Sequence, residues 1–82
     1  MCYTYVLRSD HDQRLYTGTT RDLRGRLKLH ANGKVVYYEA CLETDDAFRR
    51  ERFLKTGKGK RFLRNRLASF LARISTNKLE RH

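Results

Sequence analysis

Apolar and polar positions alternate along three short stretches of the chain at a spacing that predicts strands. Residues 2–8 (CYTYVLR) and 14–20 (RLYTGTT) are rich in aromatic and β-branched side chains, and the polar cluster SDHDQ separates them. This link is too short for a crossover, so we expect the two strands to pair as an antiparallel hairpin. Residues 34–41 (KVVYYEAC) predict a third strand.

Between the strands the apolar spacing becomes helical. The first helix should follow Thr19 or Thr20, one of which caps it, and Gly33 should end it in a left-handed conformation. Thr44 should cap the second helix and Gly57 should end it. Each of these two helices would thus begin at a threonine and end at a glycine.

The third helix is expected over residues 60–74, because its apolar positions recur at helical spacing. This stripe, which should pack on the sheet, consists of Leu63, Leu67, Phe70 and Ile74. Residues 76–82 form a polar tail that should fray. The order β-β-α-β-α-α therefore predicts one α+β domain over residues 1–75, with a small three-stranded antiparallel sheet flanked by three helices.

The formal net charge of +10 on 82 residues favours a polyanion as partner. The basic residues are spread over several segments, which disfavours a membrane surface, and we find neither a long apolar run nor a signal peptide. Cys2 and Cys41 are too few for a disulfide framework. We therefore expect a cytoplasmic protein with reduced thiols and with nucleic acid as its partner.

Glu51 is the single acid in residues 49–66, a segment that holds nine Lys or Arg. Helical spacing places it within the apolar face that Ala47 and Leu54 form. The alternative is an exposed ion pair with Lys55 at i+4, a contact worth about 0.3–0.5 kcal/mol. The helical spacing favours a carboxylate directed at the core, and such a group requires a cation or a hydrogen-bond network beside it.

Candidate partners for this carboxylate lie on the first helix and the hairpin. Arg26 and His30 are one turn apart and flank the predicted buried leucines, although a lone His there is more often a residue at the edge of the core. Tyr5 and Tyr16 lie on the strands, where cross-strand aromatic packing is the alternative role. Together these groups suit phosphodiester hydrolysis, in which a carboxylate holds Mg²⁺ or Mn²⁺ and a Tyr hydroxyl, once nearby cations lower its pKa, serves as the general base.

A series of short motifs connects these residues to a known family. The motifs are Tyr3-Thr4-Tyr5, Tyr16-Thr17-Gly18, the spaced residues Thr20, Leu23, Arg26, Leu27 and His30, then Val36-Tyr37-Tyr38-Glu39, and Arg50-Glu51 followed by Leu54-Lys55-Thr56-Gly57. In this order, over residues 3–67, the chain resembles the GIY-YIG nuclease domain family. It is most similar to the short stand-alone bacterial proteins related to the nuclease module of the bacterial excinuclease.

The resemblance implies a role for each matched position. Tyr5 corresponds to the general base or to the partner of the attacking water, and Tyr16 to the group that orients this water or the phosphate. Arg26 would bind the scissile phosphate, and His30 would assist proton transfer. Glu51 would be the single protein ligand of Mg²⁺ or Mn²⁺.

Two further features concern the fit to the family. Asn65 corresponds to an asparagine near the metal, but helical spacing places it opposite the apolar stripe of its helix. The basic segment that usually joins the first helix to the third strand is missing here, where ANGKVVYYEA joins the two almost directly. Part of the DNA-facing surface is thereby missing, which we expect to weaken substrate binding more than chemistry.

The sequence therefore predicts a metal-dependent endonuclease that acts on DNA in preference to RNA. Its nucleic-acid-binding surface should comprise Arg24, Lys55, Lys58, Lys60, Arg61 and Arg64. The resemblance also leaves room for a partner protein or a dimer that positions the domain. Two alternatives use the same fold: a non-catalytic nucleic-acid-binding module, and a basic subunit of an RNA–protein assembly.

Overall fold

The computed structural model describes residues 1–28 and 33–80, with side chains described as far as residue 74. The elements in these ranges are β1 (Cys2–Ser9), β2 (Leu15–Thr20), α1 (Leu23–Lys28), β3 (Gly33–Cys41), α2 (Thr44–Leu54), α3 (Gly57–Arg66) and α4 (Ala68–Glu80). The predicted α+β class is confirmed. Within the same ranges, no helix has the length and apolar character needed to cross a lipid bilayer.

The sheet has the strand order β2-β1-β3, and β1 is antiparallel to both neighbours. The predicted hairpin of β1 and β2 is confirmed. Its turn is closed by the Ser9 N–H, which donates to the Arg14 carbonyl oxygen over 2.9 Å. Tyr5 lies opposite Gly18 on β2 and opposite Tyr38 on β3. Side chains in such a cross-strand row project from the same face of the sheet.

The core lies on the face of the sheet that α2 and α3 cover. Val6, Leu54 and Leu63 are buried and pack together there. Ala47 is fully buried as well, and its small side chain lets α2 approach β1. The Thr4 hydroxyl donates to the Ala47 carbonyl oxygen over 3.0 Å. Since burial of a side chain such as Leu or Val contributes about 1.5–3 kcal/mol, these few residues are central to stability.

Gly33 and Gly57 do not end helices, contrary to prediction, and neither has the positive φ of a left-handed stop. Gly33 is the first residue of β3, where a Cβ would lie 2.6 Å from the Arg8 carbonyl oxygen. Gly57 is the first residue of α3, which Thr56 caps by accepting a hydrogen bond from the Gly59 N–H over 3.1 Å. Both glycines therefore belong to the element that follows them.

α2 and α3 touch through their backbones at Gly59, which is buried. A Cβ at this position would lie 2.0 Å from the Phe53 carbonyl oxygen and 2.5 Å from the Leu54 Cα. Only a glycine permits this approach. It brings Leu54 of α2 and Leu63 of α3 into the same core.

The predicted last helix is divided into two, α3 and α4. The break is at Leu67, whose φ of −106° and ψ of 24° lie outside the α-helical region. Leu63 and Leu67 are buried as predicted, whereas Phe70 and Ile74 are half-buried. The apolar stripe therefore continues across the break, but its second half contacts less of the protein.

The predicted threonine cap of α2 is wrong. The N-cap residue is Glu43, whose side chain makes no capping hydrogen bond. The Thr44 hydroxyl instead accepts a hydrogen bond from the Arg21 guanidinium over 3.0 Å. This contact joins the start of α2 to the segment that precedes α1.

Candidate active site

Tyr5, Gly18 and Arg26 form one assembly on the face of the sheet opposite α2. Tyr5 is 9% exposed, and its ring lies so close to Gly18 that a Cβ there would be 2.5 Å from the Tyr5 hydroxyl oxygen. The Arg26 guanidinium lies 5.6 Å from the centre of the Tyr5 ring. The glycine of the second tyrosine motif thus makes room for the tyrosine of the first, and α1 adds a cation above it.

A hydrogen-bonded turn before α1 sets the position of Arg26. The Asp22 N–H donates to Thr20 Oγ1 over 3.0 Å, and Asp22 Oδ1 accepts from the Gly25 N–H over 2.9 Å. The Arg26 N–H donates to the Asp22 carbonyl oxygen over 3.1 Å. Asp22 therefore caps this helix in place of the predicted threonine, and Thr20 orders the turn before it. The Arg26 side chain remains exposed, so a ligand can reach it.

Tyr16 is held by Asp12, a residue of the hairpin turn. Tyr16 is 48% exposed, and its hydroxyl donates a hydrogen bond to the Asp12 carboxylate. This bond raises the pKa of Tyr16 and lowers the pKa of Asp12. Tyr16 therefore keeps its proton at neutral pH, while its oxygen retains lone pairs that can accept a hydrogen bond.

Glu51 is partly buried, and both of its carboxylate oxygens have partners. Thr19 Oγ1 donates to Oε1, and Lys55 Nζ donates to Oε2 over 2.8 Å. Burial raises the pKa of Glu51, but the hydrogen bonds from Lys55 and Thr19 and the charge of Lys55 outweigh it, so this pKa lies below its ordinary value. The Glu51 side chain is 20% exposed. Glu51 is therefore directed inward, as the helical spacing predicted. It also forms the i+4 ion pair with Lys55, which that spacing disfavoured.

Arg50, the residue before Glu51, fixes α2 to the other edge of the sheet. Its guanidinium binds the Glu39 carboxylate of β3 through hydrogen bonds of 2.9 and 3.0 Å and lies 4.6 Å from the centre of the Phe62 ring. α2 thus contacts β3 through Arg50, β1 through Thr4 and β2 through Glu51. These contacts hold the Glu51 carboxylate beside β2.

Strand alternation directs Thr19 and Gly18 to opposite faces of the sheet. Thr19 is paired with Thr4, which contacts α2, whereas Gly18 is paired with Tyr5 on the α1 side. Glu51 therefore binds the sheet from the face opposite the Tyr5–Arg26 assembly. Because β2 is an edge strand, the two faces meet along its free side.

A groove of about 640 Å³ lies at this edge, between β2 and the helices α2 and α3. Its cationic lining residues are Arg14, Lys55, Lys60 and Arg64. Tyr16 also lines the groove, which therefore joins the second tyrosine motif to the lysine that pairs with Glu51. The concentration of positive charge suits the phosphates of a nucleic-acid strand.

Residues 1–38 match the family model of the GIY-YIG catalytic domain. The match covers 38 of the 82 residues, so the chain is similar to this catalytic domain over β1, β2, α1 and most of β3. The match includes Tyr5, Tyr16 and Arg26 and ends before Glu51. GIY-YIG domains are nucleases. Searches of curated proteins and of solved structures returned no match.

The other residues implied by the GIY-YIG resemblance are more scattered. His30 lies outside the described residues, and Asn65 is exposed on α3. Half of the predicted nucleic-acid-binding set lines the groove, namely Lys55, Lys60 and Arg64. The other half is exposed on α1 and α3, namely Arg24, Lys58 and Arg61.

Three residues of this candidate site were not predicted from the sequence: Asp12, Arg14 and Thr19. Asp12 and Arg14 belong to the turn before the second tyrosine motif, and Thr19 follows its glycine. Because all three lie next to that motif in sequence, they could have been chosen as candidate site residues. Their partners are set by the hairpin turn and by α2, which local sequence does not reveal.

The single Glu51 carboxylate fits a hard divalent cation. In the described part of the chain, no three His, Cys, Asp or Glu side chains form a cluster that could hold a metal. Mg²⁺ commonly keeps several waters and is bound by one or two carboxylates together with substrate phosphates. The Glu51 carboxylate with the Thr19 hydroxyl beside it fits this mode. Lys55, whose side chain is 55% exposed, is free to leave Oε2 when a cation binds.

Proposed function

We propose that the protein is a divalent-metal-dependent endonuclease that hydrolyses phosphodiester bonds in DNA. The observation that supports this most is the exposed Arg26 guanidinium above Tyr5, because it puts a cation over the ring of a phenol. An arginine so placed can bind a phosphate through two parallel hydrogen bonds. It can also stabilise the negative charge that develops on the phosphate during hydrolysis.

The two tyrosines take different parts in this proposal. Tyr16 keeps its proton because Asp12 accepts its hydrogen bond, so its part is to orient the attacking water or the phosphate. Tyr5 is next to Arg26 and is then the general base, whose phenolate oxygen takes the proton of the attacking water. Removal of the Tyr5 hydroxyl alone should therefore cost more activity than removal of the Tyr16 hydroxyl.

Glu51 would hold Mg²⁺ or Mn²⁺, which would supply positive charge to the phosphate. The cations of the groove would hold the strand on either side of the cut. Their contacts are with phosphates and carry no sequence information. The proposed enzyme therefore binds with low sequence preference and with an affinity that falls as salt rises.

A non-catalytic nucleic-acid-binding module is a second candidate, and one observation favours it. Lys55 and Thr19 already compensate both oxygens of Glu51, so this carboxylate is stable without a metal. In that case Glu51 is a structural link between α2 and β2. The cationic groove then accounts for binding alone.

A cleavage assay with Glu51→Gln separates the two candidates. Plasmid DNA, single-stranded DNA and RNA are incubated with wild type or variant in Mg²⁺, in Mn²⁺ or in EDTA. The matched control is Glu43→Gln, which changes an exposed acid just before α2 that makes no side-chain capping bond. We expect wild type and Glu43→Gln to cut DNA only with metal, and Glu51→Gln to bind DNA without cutting it.

Cleavage by Glu51→Gln at the wild-type rate would show that Glu51 is not the metal ligand. Binding without cleavage by the wild type, under every metal condition, would favour the second candidate. Cleavage of RNA in preference to DNA would confirm phosphodiester hydrolysis but show that the substrate is RNA.

A further inference from the structure

Tyr38 is an exposed aromatic residue beside the Tyr5–Arg26 assembly, and the proposed chemistry does not use it. It is 53% exposed on β3 and lies directly opposite Tyr5 in the strand register. The Tyr3 ring contacts it edge-on, with ring centroids 6.0 Å apart and an angle of 70° between the planes. This contact orients the Tyr38 ring while much of the residue stays open to a ligand.

Tyr38, Tyr5 and Gly18 form a row across the three strands on the face opposite α2. The Arg26 guanidinium lies over the Tyr5 ring, which leans towards Gly18. Since neighbouring strands are about 4.8 Å apart, Tyr38 lies one strand spacing from Tyr5, the tyrosine that Arg26 covers. That separation is on the scale of one extended nucleotide, whose phosphate could contact Arg26 while its base or the next base reaches Tyr38.

We propose that Tyr38 stacks on an unpaired base beside the phosphate that Arg26 binds, and that the protein therefore prefers unpaired strands to duplex. The position of that phosphate rests on the proposed function. Aromatic side chains beside cations are a common way to hold single-stranded nucleic acid, because every base has a face that can stack. Inside a duplex both faces of each base are covered, so the base must leave the stack to meet Tyr38.

The positive charge alone does not give this preference. Lys and Arg contacts to phosphates attract duplex and single strands alike, and the groove beside β2 offers several of them. Tyr38 adds a contact that only an accessible base can make. Removal of its aromatic face should therefore change the ratio of the two affinities, whereas removal of a groove cation should lower both.

The test measures binding in EDTA, where cleavage is blocked, with a labelled single strand and the duplex of the same sequence. The variants are Tyr38→Ala, Tyr38→Leu, which keeps an apolar side chain on β3, and Tyr38→Phe, which keeps the ring. Phe48→Ala is the matched control, because Phe48 is also an exposed aromatic residue, 51% exposed, but lies on α2. A second strand carries a fluorescent adenine analogue, whose emission falls when it stacks on an aromatic ring.

We expect Tyr38→Ala and Tyr38→Leu to lose about tenfold in affinity for the single strand, with duplex affinity changed by less than about twofold. Tyr38→Phe and Phe48→Ala should bind both ligands like wild type. Quenching of the adenine analogue should persist in Tyr38→Phe and disappear in Tyr38→Leu. Duplex binding serves as the internal check that each variant is folded.

Wild-type affinity of Tyr38→Leu for the single strand would overturn the proposal. An equal loss on strand and duplex would overturn it too, because the effect would then be on the fold or on phosphate contacts. Neither outcome depends on cleavage. A protein that stacks bases through Tyr38 but never cuts would contradict the proposed function and leave this inference standing.

Discussion

The two faces of the sheet differ in what covers them. On one face α2 and α3 bury Val6, Leu54 and Leu63, and the Arg50–Glu39 ion pair closes one side. On the other face the six-residue helix α1 covers Tyr5. Stability is therefore concentrated on the first face, which we call the helix-covered face, and the exposed tyrosine and arginine are on the second, which we call the tyrosine face.

β1 contributes to both faces because its side chains alternate. Thr4 and Val6 belong to the helix-covered face, and Tyr3 and Tyr5 to the tyrosine face. A change in the buried core of the helix-covered face should therefore act mainly on stability, and a change on the exposed tyrosine face mainly on chemistry. The following substitutions test this separation.

Leu54→Ala should have the largest effect, since it opens the helix-covered face at its most buried leucine, which is 1% exposed. Loss of transfer energy and the cavity left behind should lower the free energy of unfolding by about 2–5 kcal/mol. Urea denaturation followed by circular dichroism measures this. Leu42→Ala, at a residue that is 81% exposed, should change it by less than about 0.5 kcal/mol. Similar losses in both variants would contradict the location of the core.

Arg26→Ala should act on the tyrosine face alone. We expect the cleavage rate of the bound complex to fall by ~10²-fold or more, about 2.7 kcal/mol of transition-state stabilisation, with little change in stability. Arg24→Ala, two residues away and also exposed, should mainly weaken DNA binding. Single-turnover rates at saturating protein separate the two effects. Equal rates for the two variants would remove the special position of Arg26.

Gly18→Ala should disturb both the stability and the chemistry of the tyrosine face. The new Cβ would lie 2.5 Å from the Tyr5 hydroxyl oxygen, so the ring must move. We expect a loss of stability of about 1–3 kcal/mol, together with slower cleavage by the folded protein. Gly57→Ala is the control, because its Cβ would meet no atom within 4 Å. Normal cleavage by Gly18→Ala would show that the position of Tyr5 does not matter for the reaction.

The smallest effect should come from titration of Glu51 on the helix-covered face. Its folded-state pKa lies below the ordinary value of 4.5, so its ionised form contributes stability above pH 4.5. That contribution is lost as the pH falls through the lower folded-state value. The difference in free energy of unfolding between wild type and Glu51→Gln should therefore shrink as the pH is lowered from 6 through this range. A difference that is constant with pH would show that the links to Lys55 and Thr19 add nothing to stability.

The strands and their pairing could be predicted because apolar alternation and a short polar link are local signals. The glycines could not, because their roles depend on distant backbone. Gly33 meets the Arg8 carbonyl of a strand far away in sequence, and Gly59 meets the end of the preceding helix. A glycine that ends a helix and one that admits another backbone look the same in sequence.

For the candidate site, too, some features could be predicted from the sequence and others could not. Helical spacing predicted that Glu51 turns inward, and its side chain is only 20% exposed. It also placed Arg26 beside buried leucines, but Arg26 is exposed and α1 has no buried residue. It did not predict that Thr19 and Lys55 would both engage Glu51, because the first partner comes from another element and the second forms the ion pair that the spacing disfavours. The Asp12 contact of Tyr16 depends on the geometry of the hairpin turn, which residue types alone do not determine.

The backbone contact at Gly59 also limits which substitutions the sequence can accept during evolution. Any side chain there would overlap the Phe53 carbonyl, whereas Gly57, two positions earlier, faces open space. A library of random variants selected for folding should keep glycine at 59 and accept many residues at 57. Two glycines in the same short basic segment would then differ in their tolerance to substitution: backbone contacts would require glycine at position 59, and no contact would require it at position 57.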